Sequence, residues 1–220
     1  MQAKVIYKDI KNFILKVKPS LEVILSVPRH TSAKEIDYIL QKRKGWIENA
    51  LQRFQALQPI SPKEFVSGED FEYLGKHYRL KVIPSTKEEI RINGAFVELL
   101  TKKENDFLHK QKLIKQWYQK RALECFSKLL DSYAKLLGFE VKTLRIRTMK
   151  TRWGSCNPKK ASINLNLELI KKDKREIEYV ILHELAHLKY PYHNQDFYHF
   201  VALYMPDWKD VRAKLNGIKA

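Results

Sequence analysis

Apolar and polar positions alternate in the first part of the chain. Phe13, Leu15 and Val17 share one face of an extended segment, and Leu21, Val23, Leu25 and Val27 share another. Pro19-Ser20 lies between them, so the pattern predicts a β-hairpin. The period then changes. Ile36, Ile39, Leu40, Trp46, Ile47, Ala50, Leu51 and Phe54 recur at helical spacing, opened by the capping box Ser32-Ala33-Lys34-Glu35 and interrupted at Gly45. Pro59 to Pro62 reads as a connector.

Alternation returns after the connector. Phe71 and Tyr73 are placed to pair with Tyr78, Leu80 and Val82 across a turn at Gly75. Asn93-Gly94, between Ile90, Ile92 and Phe96, is a strong hairpin signal. A long lysine-rich helix is expected from Asp106 to Leu137, stopped by Gly138. Leu144 to Met149 and Ala161 to Leu169 read as strands, and Arg152 to Pro158 reads as a loop between them, with Gly154 a turn residue. Asp173-Lys174-Arg175-Glu176 is a second capping signal, opening a helix that runs to about Lys189 before Pro191. Further helices are expected from Asn194 to Pro206 and from Asp207 to Gly217. The sum is an α+β fold, with a strand-rich N-terminal region over 1–104 and a C-terminal domain over 105–220.

Composition adds few constraints. The chain of 220 residues is 44% hydrophobic and 30% charged, ordinary for a folded protein. Its longest apolar runs, Tyr179–Leu182 and Phe200–Met205, fall far short of the roughly 20 residues of a membrane span, so no membrane partner is expected. The N-terminus lacks a basic-then-apolar signal pattern, and two cysteines, Cys125 and Cys156, cannot make a disulfide framework; both point to the cytoplasm. Forty-two basic against 25 acidic residues give a formal net charge of +17, which fits either attraction to nucleic acid or a generally solvated surface.

The chemistry is concentrated in His183-Glu184-Leu185-Ala186-His187. Two histidines at i and i+4 stand one helical turn apart on one face, where both reach one metal ion. The intervening glutamate reaches a water held there, the arrangement a metallohydrolase uses for general base catalysis. Ile177, Val180, Ile181 and Leu182 mark a deeply packed helix, and buried histidines and glutamate are costly without a shared role. No glutamate follows His187, so the third ligand is sought among His193, Asp196 and His199. His193 is best placed, six residues on and beyond Pro191, the spacing of the metzincin pattern, although Tyr190 stands where that pattern has glycine. Asp196 reads as a first-turn carboxylate, His199 as a supporting or core histidine, and Cys156 as a buried thiol.

Arg152-Trp153-Gly154-Ser155-Cys156, Ile163-Asn164-Leu165-Asn166, the HExxH run, His193 and Phe197 together resemble the YgjP-like metallopeptidase family, a relative of the SprT and WLM-type peptidases. Phe65 to Glu69, Tyr73 to Tyr78 and Lys44 to Ile47 resemble its N-terminal half, so the likeness spans nearly the whole chain. It implies a zincin-like catalytic domain, a Zn2+ ion held by His183, His187 and His193, Glu184 as catalytic base, and a protein or peptide substrate. It also implies a strand near the cleft, here Ala161–Leu169, whose edge could hold an extended peptide. SprT-type relatives act on DNA-bound proteins. With the positive charge, and with Arg145, Arg147, Lys150 and Arg152 close together, this gives a nucleic-acid-associated substrate as an expectation. The competing functions are a metal-dependent hydrolase of a nucleotide, and a basic nucleic-acid-binding protein with a vestigial metal site. Neither a P-loop nor a carboxylate cluster for two magnesium ions supports the first, and the intact Glu184 argues against the second.

Overall fold

The structure is a computed structural model that describes residues 3–18, 20–56 and 63–217. The connector at Pro59 to Pro62 and the first residue of the Pro19-Ser20 turn lie outside the described residues. The chain forms two compact units, Met1–Pro62 and Lys63–Ala220.

In the first unit the hairpin forms as β2 (Ile14–Val17) and β3 (Val23–Pro28), with Leu15 opposite Leu25. An additional strand, β1 (Lys4–Lys8), pairs parallel to β3. Ser32 and Glu35 make the capping box of α1 (Ala33–Lys42), and the helical stretch breaks at Arg43 before α2 (Lys44–Ala56). Leu25, Val27 and Ile36 form a small separate core.

The second unit opens with β4 (Asp70–Tyr73), β5 (Lys76–Pro84), β6 (Glu89–Asn93) and β7 (Phe96–Thr101), joined in the order β4-β5-β7-β6. Phe71 faces Tyr78, and Asn93 faces Phe96 across Gly94, whose φ of 57° is the left-handed conformation the turn requires. Helix α3 (Phe107–Leu137) is capped by the Asp106 carboxylate and ends on a left-handed Gly138. Its 31 residues span about 46 Å. Ile114, Trp117, Tyr118, Ala122, Phe126, Leu130 and Ala134 form the apolar stripe it buries. That stripe shares one core with Phe71, Leu80, Val97 and Leu99 of the sheet and with the elements that follow.

Those elements are β8 (Thr143–Arg147), β9 (Gly154–Asn157) and β10 (Ser162–Asn166), then α4 (Lys174–Ala186), α5 (Gln195–Tyr204) and α6 (Trp208–Leu215). Two expectations change here. The Arg152 to Pro158 segment is not wholly loop, because Gly154–Asn157 pairs antiparallel with β10. The strand expected over Ala161–Leu169 ends at Asn166, where the Asn166 carboxamide accepts the Glu168 N–H and turns the chain into a 3-10 helix, Leu167–Lys171. Both sides of β10 are occupied, by β8 and by β9, so it offers no edge to a peptide. Among the described residues the unpaired edge next to α4 is that of β9.

The β4–β5 hairpin docks on the start of α4. Leu74 and Gly75 N–H groups donate to the Ile170 and Lys171 carbonyls, and a Cβ on Gly75 would lie 2.6 Å from Asp173 Cβ. Asp173 caps α4 in a capping box with Glu176, and its other carboxylate oxygen accepts from Lys214 Nζ at 2.6 Å. Arg145 and Arg147 are exposed on β8. No described helix is long and apolar enough to cross a membrane.

Candidate metal centre

Helix α4 is apolar on nearly every side: Ile177, Val180, Ile181, Leu182, Leu185 and Ala186 are all buried. Packing therefore fixes its rotation, and with it the direction of the polar residues of its last turns. His183 and His187 face the same way, with ring centroids 5.0 Å apart. His187 is the C-cap residue, so the chain leaves the helix at the site itself. The Tyr190 N–H returns to the Ala186 carbonyl at 2.8 Å, and Asn194 then caps α5 by accepting from the Phe197 N–H. This tight exit brings His193 back over the helix.

The ligand nitrogens of His183, His187 and His193 lie within 4.8 Å of one another. Neither Asp196 nor His199 joins this group; both are exposed on α5. Cys156 stays outside it as well, and burial pushes its thiol up to about 11, against the thiolate a metal would need. Phe197, fully buried, is the floor of the cluster. Its ring centroid is 4.9 Å from that of His183 and 4.8 Å from those of His187 and His193.

The donor set fits a metal ion. Burial, with smaller contributions from the other two histidines and Arg212, lowers His183 to about 3, and burial lowers His193 too, so both imidazoles are neutral with a lone pair to give. His187 Nδ1 lies 3.0 Å from the Tyr190 carbonyl, to which it donates, and this leaves Nε2 as the free donor. Nε2 of His193 and Nε2 of His183 face each other at 3.0 Å. Two nitrogens aimed at one point can share a proton or a cation, and three such nitrogens are a cation's arrangement.

Glu184 is buried beside this cluster, and burial raises its carboxyl to about 8, with the Arg152 charge opposing. Its carboxylate lies against Gly154 of β9, where a Cβ would sit 2.6 Å from Oε1. Gly154 is therefore required for space at Glu184, and its role as a turn residue is not what the structure displays. Asn166 holds the preceding loop, accepting from Met149 N–H and donating to the Met149 and Arg152 carbonyls. Arg212 on α6 also bears on the site, a residue that no motif or periodicity singles out. Its Nη1 lies 3.5 Å from the Tyr198 hydroxyl, and the Tyr198 ring stacks on Trp208 and on His193.

A second trio, Asp70, Glu72 and His77, also brings its ligand atoms within 4.8 Å. There His77 Nδ1 already bonds the Asp70 carboxylate at 3.0 Å, and the side chains are 68% and 39% exposed, as in an ordinary surface ion pair.

The family model of the YgjP-like metallopeptidase domain matches residues 11–217. The chain belongs to the YgjP-like metallopeptidase family. Membership makes it a metal-dependent peptidase, acting with a divalent ion on peptide substrates. Two solved metallopeptidase zymogens align with part of this YgjP-like chain. Abylysin of Pyrococcus abyssi is 27% identical over 43% of this chain and 99% of its own, with a TM-score of 0.38. Jannalysin of Methanocaldococcus jannaschii is 22% identical over 42% and 94%, with a TM-score of 0.39. No curated protein matches the chain.

Proposed function

We propose that this peptidase is a zinc enzyme in which His183, His187 and His193 hold the ion and Glu184 is the general base. The observation that carries the reading is the convergence of three imidazoles beside one buried carboxylate. An all-imidazole donor set suits zinc and leaves a position open. Zinc bound there supplies a Lewis acid that polarises a carbonyl and lowers the pKa of a coordinated water.

The remaining steps belong to the chain. Glu184 accepts a proton from water as the water oxygen adds to the scissile carbonyl carbon and the carbonyl π pair moves onto its oxygen. The pair returns as the C–N bond breaks, and the proton on Glu184 goes to the leaving amine. A carboxyl raised by burial has the proton affinity for both roles, and a nearby dication draws it back toward the ionised form needed first. The free edge of β9, with Gly154 against Glu184, supports antiparallel backbone pairing with an extended peptide next to the base.

The test compares wild type with Glu184→Gln on unfolded proteins, with and without DNA, and on nucleotides. Zinc-dependent proteolysis that the variant loses, with its zinc retained, is the expected result. Equal proteolysis by both proteins sinks the role of Glu184, and cleavage of nucleotides alone sinks the peptidase reading. Metal analysis of His193→Ala beside Asp196→Ala and His199→Ala tests the third ligand.

A further inference from the structure

With a divalent ion bound, the proposed centre would carry more positive charge than its residues balance. Three imidazoles bring no negative charge to offset a dication. Arg212 acts electrostatically on His183 and His193, Arg152 acts on the neighbouring Glu184, and no carboxylate is among the groups that act on either histidine. Three arginines of the same unit pair with carboxylates, Arg91 with Glu98, Arg121 with Glu124, and Arg175 with Asp207 and Glu178, whereas Arg212 and Arg152 beside the centre do not among the described residues. Among the described residues no carboxylate lies within ion-pair distance of Arg212, whose one side-chain partner is the neutral Tyr198 hydroxyl.

The fold invests in that position. Tyr198 stands one residue after Phe197, the floor of the triad, and is stacked at 13° and 4.7 Å on the buried Trp208 of α6. Its ring also lies at 24° and 6.1 Å to that of His193. Trp208 and Arg212 are i and i+4 on α6, so one helix face provides both the ring that fixes Tyr198 and the cation its hydroxyl meets. Buried Tyr179 of α4, 5.8 Å from the His183 ring, feels the same charge. The Arg212 side chain is exposed and has no carboxylate partner among the described residues, so its guanidinium is accessible to an anion that approaches the imidazole cluster.

We propose that Arg212, positioned by Tyr198, is the anion-binding group of this centre and receives a carboxylate-like oxyanion of the substrate. Two sources present that chemistry: the scissile carbonyl oxygen as it gains charge during attack, and a carboxylate already on the substrate. In the first case the guanidinium stabilises charge that exists only in the transition state, which lowers the barrier more than it tightens substrate binding. Tyr198 is then a positioning residue. The proposal rests on the peptidase reading above.

The test uses the zinc-loaded protein and its Arg212→Met, Arg212→Lys and Tyr198→Phe variants, with zinc content measured for each. Two readouts are taken: cleavage of matched peptides with free and amidated C-termini, and calorimetric binding of a phosphinate peptide, an anionic tetrahedral mimic. A developing oxyanion predicts that Arg212→Met lowers kcat about 100-fold on both peptides with KM unchanged, and weakens phosphinate binding in parallel. Arg212→Lys then recovers part of both, and Tyr198→Phe shows a smaller loss of the same kind. A substrate carboxylate predicts a KM increase confined to the free-acid peptide. Variants equal to wild type in cleavage and in phosphinate binding overturn the proposal and leave the peptidase reading standing. A wild-type protein that holds zinc yet neither cleaves peptide nor binds phosphinate overturns that reading, and this inference with it.

Discussion

Gly154 and Glu184 are packed so closely that the strand residue has no room for a side chain: a Cβ would lie 2.6 Å from Oε1 and 2.7 Å from Cγ of the glutamate. Gly154→Ala therefore displaces the carboxylate. Overpacking of this kind costs about 1–3 kcal/mol of stability, and a displacement near 1 Å costs about 100-fold in kcat. The variant is expected to keep its metal ion and lose that activity. Wild-type kcat in Gly154→Ala would mean that β9 does not position Glu184.

Phe197 supports all three imidazoles at 4.8–4.9 Å. Phe197→Leu keeps the site apolar and removes the flat floor, so zinc affinity is expected to fall about 10-fold or more, as for other residues that orient ligands. Competition with a chromophoric chelator reads this directly. Unchanged affinity would show that the exit turn alone places His193.

Asn166 is buried and bonded to Met149, Arg152 and Glu168. Asn166→Ala leaves buried carbonyls and N–H groups without partners, at about 1–3 kcal/mol for each group that water does not reach. Urea denaturation is expected to show a lower midpoint with an unchanged slope. A changed slope would indicate instead that the loop before β9 has come apart in the native state.

Asp173 and Lys214 make a pH-dependent contribution. The bond from Lys214 and those from the helix N-terminus hold the Asp173 carboxyl below its ordinary 3.8, and the same bond raises Lys214 above 10.5. The stabilisation is full between these values. It is lost as pH falls through 3.8 to the lowered folded value, and as pH rises past 10.5 through the raised one. The pair is half-exposed, so its size stays below about 1 kcal/mol. The stability difference between wild type and Lys214→Met should be constant at pH 5–8 and shrink toward zero in acid. A difference that persists at pH 2.5 would assign the effect to packing of the lysine stem.

Burial pushes the Cys156 thiol up to about 11. At pH 7.5 its alkylation by iodoacetamide is expected to run about two orders of magnitude slower than that of a free cysteine, rising roughly tenfold per pH unit. Peptide mass mapping separates it from Cys125. Fast labelling at neutral pH would reveal a thiolate, and Cys156 would return as a soft donor.

The elements that could be read from the residues are those marked at their ends by side chains. Ser32 with Glu35, Asp106 with Gly138, and Asp173 with Glu176 bracket helices by local hydrogen bonds, so each is encoded within a few residues. The same holds for Asn93-Gly94. What stayed hidden depends on distant partners. Strand β9 has one apolar side chain, Cys156, and exists because β10 pairs with it. The alternation of Leu165, Leu167 and Leu169 continues past the end of β10, because a 3-10 turn can bury the same leucines. Arg212 is one of three cations on the amphipathic helix α6, and its approach to the Tyr198 hydroxyl follows from the packing of Trp208 on Tyr198.

The docking of Gly75 on Asp173 sets an order of events. Its two backbone bonds, from Leu74 and Gly75 to Ile170 and Lys171, join segments separated by about a hundred residues of chain. The hairpin that receives α4 lies well before the helix with its histidines and the turn carrying His193 in the chain. Closure of so long a loop is slow compared with folding of the hairpin or of α3. Convergence of the three imidazoles is therefore expected to be a late folding event, which waits on the docking of α4 against a hairpin and a long helix formed by local contacts.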